Sequence, residues 1–142
     1  MTFLLDVNVL IALIDPTHVS HDLAHNWFEK QGAISWATCP ITANGVIRIV
    51  GNPRYPNTPG SPGIVADLLK RFTARTGHVF WPDDVNLLNE RSVDIGKLLT
   101  PGQVTDTYLL ALAVAHGGRL VSLDRRLSVA AVFGGKDGLH LI

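Results

Sequence analysis

Residues 2–10 read TFLLDVNVL, and the aspartate in their middle decides how the chain is read. TFLLD is mostly apolar and predicts a short buried strand ending on Asp6. VNVLIALI follows at once and predicts an apolar helix, halted by Asp15-Pro16. A strand that passes through a carboxylate into a helix is the opening of a βα unit. The same alternation continues downstream. SHDLAHNWFEKQG predicts an amphipathic helix, with Ser20 as N-cap, Leu23, Ala24, Trp27 and Phe28 on one face, and Gly32 as the stop. AISWATC is a second strand. Thr42 caps a helix running to about Val50, ended by Gly51-Asn52-Pro53, and YPNTPGSPG is a loop. Ser61-Pro62 starts a helix whose apolar face is Val65, Leu68, Leu69 and Phe72. HVFWP is a third strand, with short helices expected over DDVNLLNE and Ser92–Leu99. QVTDTYLLALAVAHGG is the best-defined helix, with Gly117-Gly118 as its stop. RLVSLD is then a strand, RRLSVAAVF a short helix and LHLI the closing strand.

Strands alternating with helices predict an α/β/α sandwich with a mainly parallel central sheet. At 142 residues, with no repeat, low-complexity tract or dividing linker, the expectation is one domain over 1–142. Acidic and basic residues balance at 12 each, so global charge singles out no polyanionic partner. Their distribution is uneven. Arg48, Arg54, Lys70, Arg71 and Arg75 face only Asp67 within residues 40–82, and residues 83–110 are mainly acidic. Two such segments either form a bipolar cleft or two solvated faces. The lone Cys39 excludes an internal disulfide framework and a multi-thiolate zinc site, and suits a reducing cytoplasm. The N-terminus lacks a basic leader, and no stretch is long enough to span a membrane.

In a parallel sheet, sites form beyond the carboxyl ends of the strands. Asp6 ends one strand and Asp124 ends another, RLVSLD. Asp106 sits in the first turn of the helix that leads into that second strand, with Thr105 as its expected N-cap. A right-handed crossover brings the start of that helix to the same sheet edge, so the three acids can converge. Converging carboxylates raise one another's pKa unless a cation joins them. Mg²⁺ suits such oxygen donors and leaves coordination sites for a phosphate.

LLDVNVLIAL, VTDTYLLALA and LVSLDRRL, in this order, resemble the acidic motifs of PIN-domain ribonucleases, and most of all the VapC toxins of bacterial VapBC toxin–antitoxin pairs. CPITANGVIRIVGNPRYP and FWPDD extend the resemblance over essentially the whole chain. It implies a PIN fold, Mg²⁺ or Mn²⁺ dependence and endonucleolytic RNA cleavage that leaves a 3′-hydroxyl and a 5′-phosphate. It also implies a homodimer silenced by a cognate VapB antitoxin, with operator DNA bound only through that antitoxin. Asp6, Asp106 and Asp124 match the family's aspartates, and Asn8 its following polar residue. One position departs. The family carries glutamate where ITANG has Ala43, and a methyl group cannot ligate metal. Asn44 is neutral and about 100° further round the helix. The resemblance therefore implies weakened metal binding and reduced activity in this chain.

Ser122, one strand alternation from Asp124, is a candidate support for the acids, as are Asn8 and Thr105. Arg48, Arg54, Lys70, Arg71, Arg75, Arg125 and Arg126 are candidate RNA contacts. His18, His21 and His25 read as surface or packing residues; the competing reading is a metal-free ribonuclease with a histidine base and acid. Trp27, Trp36 and Trp81 are expected to pack. Two further readings compete: a phosphatase with an aspartyl nucleophile, opposed by Asn8 where a second Asp belongs, and a catalytically inactive antitoxin-binding protein, supported by Ala43 alone.

Overall fold

The computed structural model describes residues 1–142. Five strands form one sheet in the order β3-β2-β1-β4-β5, and every neighbouring pair is parallel. They are β1 (Phe3–Leu5), β2 (Trp36–Thr38), β3 (His78–Phe80), β4 (Arg119–Ser122) and β5 (Leu139–Leu141). The helices are α1 (Val7–Ile14), α2 (His21–Lys30), α3 (Pro40–Val50), α4 (Pro62–Thr73), α5 (Gln103–Ala115) and α6 (Gly135–Gly138).

Both faces of the sheet are covered, and the pleat divides the strands' side chains between two cores. Leu5, Trp36 and Val121 pack with α1–α4. Leu4, Ala37 and Leu120 pack on the other face with Leu109–Ala113 of α5, Leu127 and Val132. Leu4, paired with both Ala37 and Leu120, is fully buried. This is the predicted α/β/α sandwich, with a sheet that is parallel throughout. Chain order reverses about β1: it reaches β2 and β3 on one side, then β4 and β5 on the other. The carboxyl ends of β1 and β4 therefore flank a switch point, the place where parallel sheets open a crevice. No helix is long and apolar enough to cross a membrane.

Several local expectations are corrected. DDVNLLNE is turn rather than helix, and only Ile95–Lys97 of the Ser92–Leu99 segment winds, as a single 3₁₀ turn. Asn86 and Asn89 explain this: their side-chain oxygens accept the backbone N–H of Leu88 and Arg91, which competes with helical bonding. RRLSVAAVF is also not a helix. Asp124 and Ser128 accept backbone N–H groups two residues on, and Val132 bridges to Val93. Thr42 is not the cap of α3; Cys39 occupies that position, Pro40 is the first helical residue, and the Thr42 hydroxyl accepts the Cys39 N–H at 3.0 Å. Thr105 is not the cap of α5, which begins two residues earlier after Gly102. Ser20 caps α2 by position without a side-chain bond, whereas Ser61 does accept the Ile64 N–H. Gly117, at φ +68°, supplies the left-handed turn after α5 that a β-carbon disfavours.

Candidate active site

β1 ends at Leu5, so Asp6 is the first residue beyond it and also the N-cap of α1. Its Oδ1 accepts the Val7 N–H at 2.8 Å and its backbone N–H donates to Val121 O at 3.0 Å, which ties it to β4. The side chain is buried. Ser122, the last residue of β4, is fully buried and donates its hydroxyl proton to Asp6 Oδ2 at 2.7 Å. The Ser122 Oγ in turn accepts Asn8 Nδ2–H and the Asp124 N–H, each at 3.1 Å. Asn8 Oδ1 accepts the Leu123 N–H at 3.1 Å. Asn8 thus binds the chain turn that leads to Asp124. Asp124 stands two residues past the strand end, half-buried, rather than closing the strand itself.

Asp106 lies in the first turn of α5, on the cleft wall with Asp6 and Thr105. The cleft holds about 630 Å³, and its opposite wall is α3, through Ile41, Asn44, Gly45, Arg48 and Ile49. A β-carbon on Gly45 would stand 2.8 Å from Val7 Cγ2, so glycine there lets α3 close against the start of α1. Ala43 is absent from this lining. It is half-buried and packs against the core beneath the first four helices, while Asn44 faces the cleft. The sequence puts position 43 at the site, with Asn44 about 100° further round the helix; of the two, Asn44 is the one that lines the cleft.

The acids carry an unresolved negative charge. Burial pushes the Asp106 carboxyl up to about 6, helped by the nearby charges of Asp6 and Asp124. Burial also raises Asp6, against the Ser122 and Val7 hydrogen bonds that favour its anion, and Asp124 adds to the rise. No basic side chain is ion-paired to any of the three. Such a set of hard oxygen donors fits a divalent cation. The acids are not preassembled, however: no three acidic, histidine or cysteine side chains stand close enough to hold an ion as they are.

A model of the PIN domain matches residues 3–132. The chain belongs to the PIN-domain family. Its sequence is 48% identical to Ribonuclease VapC44 of Mycobacterium tuberculosis, over 94% of each chain. It is 44% identical to Ribonuclease VapC39 of the same organism, over 94% of this chain and 96% of that one. Its fold is shared with VapBC2 of Rickettsia felis bound to a DNA fragment from its promoter, at TM-score 0.61 and 16% identity over 100% and 99% of the two chains. VapC20 of M. tuberculosis, a toxin that cleaves the sarcin–ricin loop, matches at TM-score 0.65 and 11% identity over 92% and 96%.

The basic residues of this PIN domain are not gathered as one patch. Arg48 alone of those predicted lines the cleft. Arg54 lines a neighbouring hollow that also includes Arg48. Arg71 pairs with Asp67, and Arg75 pairs with Glu29 while lying over the Phe28 and Phe72 rings. Lys70 is exposed on α4, and Arg125 and Arg126 are exposed in the turn after Asp124. The histidines are accounted for locally: His21 Nδ1 bonds Ala12 O, His18 Nδ1 accepts the Ser20 N–H, and His25 stacks on His21. Trp27, Trp36 and Trp81 are buried. Sequence reasoning missed the contribution of Gly45 and the apolar wall of Ile41 and Ile49, which carry no chemical signature.

Proposed function

We propose that this chain is the toxin half of a type II toxin–antitoxin pair, a single PIN domain over 1–142 that cleaves RNA phosphodiesters with Mg²⁺ or Mn²⁺. The observation that carries the reading is the uncompensated negative charge of Asp6 and Asp106 in a cleft lined also by Arg48, with Asp124 near enough to raise both carboxyls, in a chain 48% identical to a protein named a ribonuclease. The acids would hold the cation, and a bound divalent ion supplies charge stabilisation at a phosphodiester and lowers the pKa of water. The chain's own residues do the rest. Ser122 and Asn8 fix the Asp6 carboxylate and tie it to the turn carrying Asp124. Arg48 offers a guanidinium to a phosphate oxygen across the cleft. Thr105 and Asn44 present polar groups to the strand.

α3 brings no acid to the cleft, and at position 43, where the family carries glutamate, a methyl group packs toward the core instead; the missing carboxylate supports reduced cation affinity and reduced activity in this chain. The partner is a VapB-type antitoxin, since the Rickettsia fold neighbour is a VapBC complex on promoter DNA. Homodimerisation, contact with operator DNA only through the antitoxin, and a cytoplasmic location complete the reading. Sequencing RNA 5′ ends after expressing the Ala43→Glu form in cells tests it, with Asp6→Ala beside it. New 5′ ends absent from the Asp6→Ala control are expected, and they identify the target. Tight antitoxin binding with no new ends, even with glutamate restored, supports an inactive regulatory partner instead.

A further inference from the structure

Beyond Arg48 the cleft does not end. A second hollow of about 610 Å³ begins at the same arginine and runs along the α3–α4 connection. Its walls are Gly51, Pro53, Gly60 and Pro62, with Asn52 and Thr58 at the rim. We infer that this trough is a base-binding subsite for the nucleotide flanking the scissile phosphate, with Arg48 gripping the phosphate between the two hollows; this rests on the ribonuclease reading.

Four observations support it. First, Arg48 lines both hollows, so a strand lying in one is led into the other past a cation. Second, two glycines and two prolines supply backbone and ring carbon to the trough lining, which can hold the face of an unstacked base by dispersion. Its rim can read the base edge, because Asn52 uses only its Oδ1, on the Arg54 N–H at 2.9 Å. Third, Arg48 and Arg54 are in no ion pair, unlike Arg71 and Arg75, so they are free for phosphates. Fourth, the trough is already built. Buried Asp15 accepts the Tyr55 hydroxyl, and the Asn57 amide at 3.0 Å, which pins the loop from below. Thr58 Oγ1 donates to Gly60 O at 2.9 Å and holds its far end. A preformed trough spares a ligand the cost of ordering the loop. The occupant is a nucleic-acid strand rather than a peptide: no acidic side chain and no large apolar side chain lines the trough to anchor a polypeptide.

The test is fluorescence anisotropy of the full chain with labelled single-stranded RNA in Mg²⁺. The probes are a mixed-sequence strand of about 12 nucleotides, the scale of single-strand sites, and a trinucleotide. Pro62→Glu places a negative charge in the trough while leaving an acid at the first position of α4, where the helix dipole favours it. Pro62→Glu is expected to weaken the longer strand about tenfold and to leave the trinucleotide unchanged, since repulsion between an added carboxylate and one nearby phosphate is of that order. Arg48→Ala is expected to weaken both and to lower the salt slope by about 0.7. Arg71→Ala should change neither. Longer-strand binding that is unaltered in Pro62→Glu and Arg48→Ala overturns the subsite. Loss of antitoxin binding in those variants with RNA binding intact also overturns it and gives the trough to the partner. If the Ala43→Glu form cleaves RNA in either case, the ribonuclease reading survives. If the trough variants behave as expected but Ala43→Glu never cleaves, the ribonuclease reading falls, and the trough remains a single-stranded RNA site with no scissile phosphate beside it.

Discussion

Ser122 uses all of its hydrogen-bonding capacity, one donor and two acceptor positions, on Asp6, Asn8 and the Asp124 backbone. It is the joint between the two strand ends. Ser122→Ala is expected to destabilise the fold by about 1–3 kcal/mol, because buried donors are left unmatched. The Asp6 carboxyl should also rise further, having lost its strongest anion-favouring bond. Urea denaturation and carboxyl NMR titration read the two effects; an unchanged Asp6 titration contradicts the assignment. Asp106 gives a pH signature. Its carboxyl is raised to about 6 in the fold, against about 3.9 in an unfolded chain. The folded state therefore binds the extra proton, so metal-free stability should fall as pH rises from about 4 to about 6. Asp106→Asn should flatten that slope in thermal melts and leave the protein more stable at pH 7. An Asp106→Asn melt as pH-dependent as the parent's contradicts this. At this scale the three aspartates could be read from sequence because each follows or precedes a clear apolar element. The joint role of Ser122 could not, because it depends on which strands are neighbours.

At the scale of elements, α3 and the loop after it shape the cleft. The fourth residue of α3 is Ala43, packed toward the core, and the next turn brings Arg48 to the cleft. The loop from Gly51 to Ser61 is held by Asp15 at the end of α1. Burial opposes ionisation of Asp15, but the Tyr55 hydroxyl, the Asn57 amide and Thr17 overcome it and lower its carboxyl to about 2. A lowered carboxylate contributes stability that is complete above its unfolded pKa and is lost as pH falls from about 4 toward 2. Tyr55→Phe should cost about 1.5–3 kcal/mol at pH 7, the range for a bond to a charged group. That cost should shrink in denaturation curves taken below pH 4; a cost independent of pH contradicts the clamp. Sequence periodicity found α2, α4 and α5, whose apolar stripes are driven by the cores they cover. It failed over residues 83–99 and 125–133, where Asn, Asp and Ser side chains bond their own backbone and win against weak helical patterns. The Asp15 clamp was also invisible, since Asp-Pro after an apolar helix reads simply as a stop.

For the whole molecule, the parallel sheet and its reversal about β1 place every acid of interest at one edge. Alternation of strands and helices predicted the sandwich; the strand order came only from the structure, because short buried strands carry little pairing information of their own. We propose that this edge holds a divalent cation for RNA cleavage, with Ala43 limiting it. The most direct measurement is cleavage of RNA by the purified Ala43→Glu form, beside the parent chain, in Mn²⁺ and in EDTA. Ala43→Glu is expected to cut faster than the parent, and to stop cutting in EDTA or when Asp106→Asn is added. Equal rates for the two chains contradict the role given to Ala43, and cleavage that persists in EDTA contradicts the metal site itself.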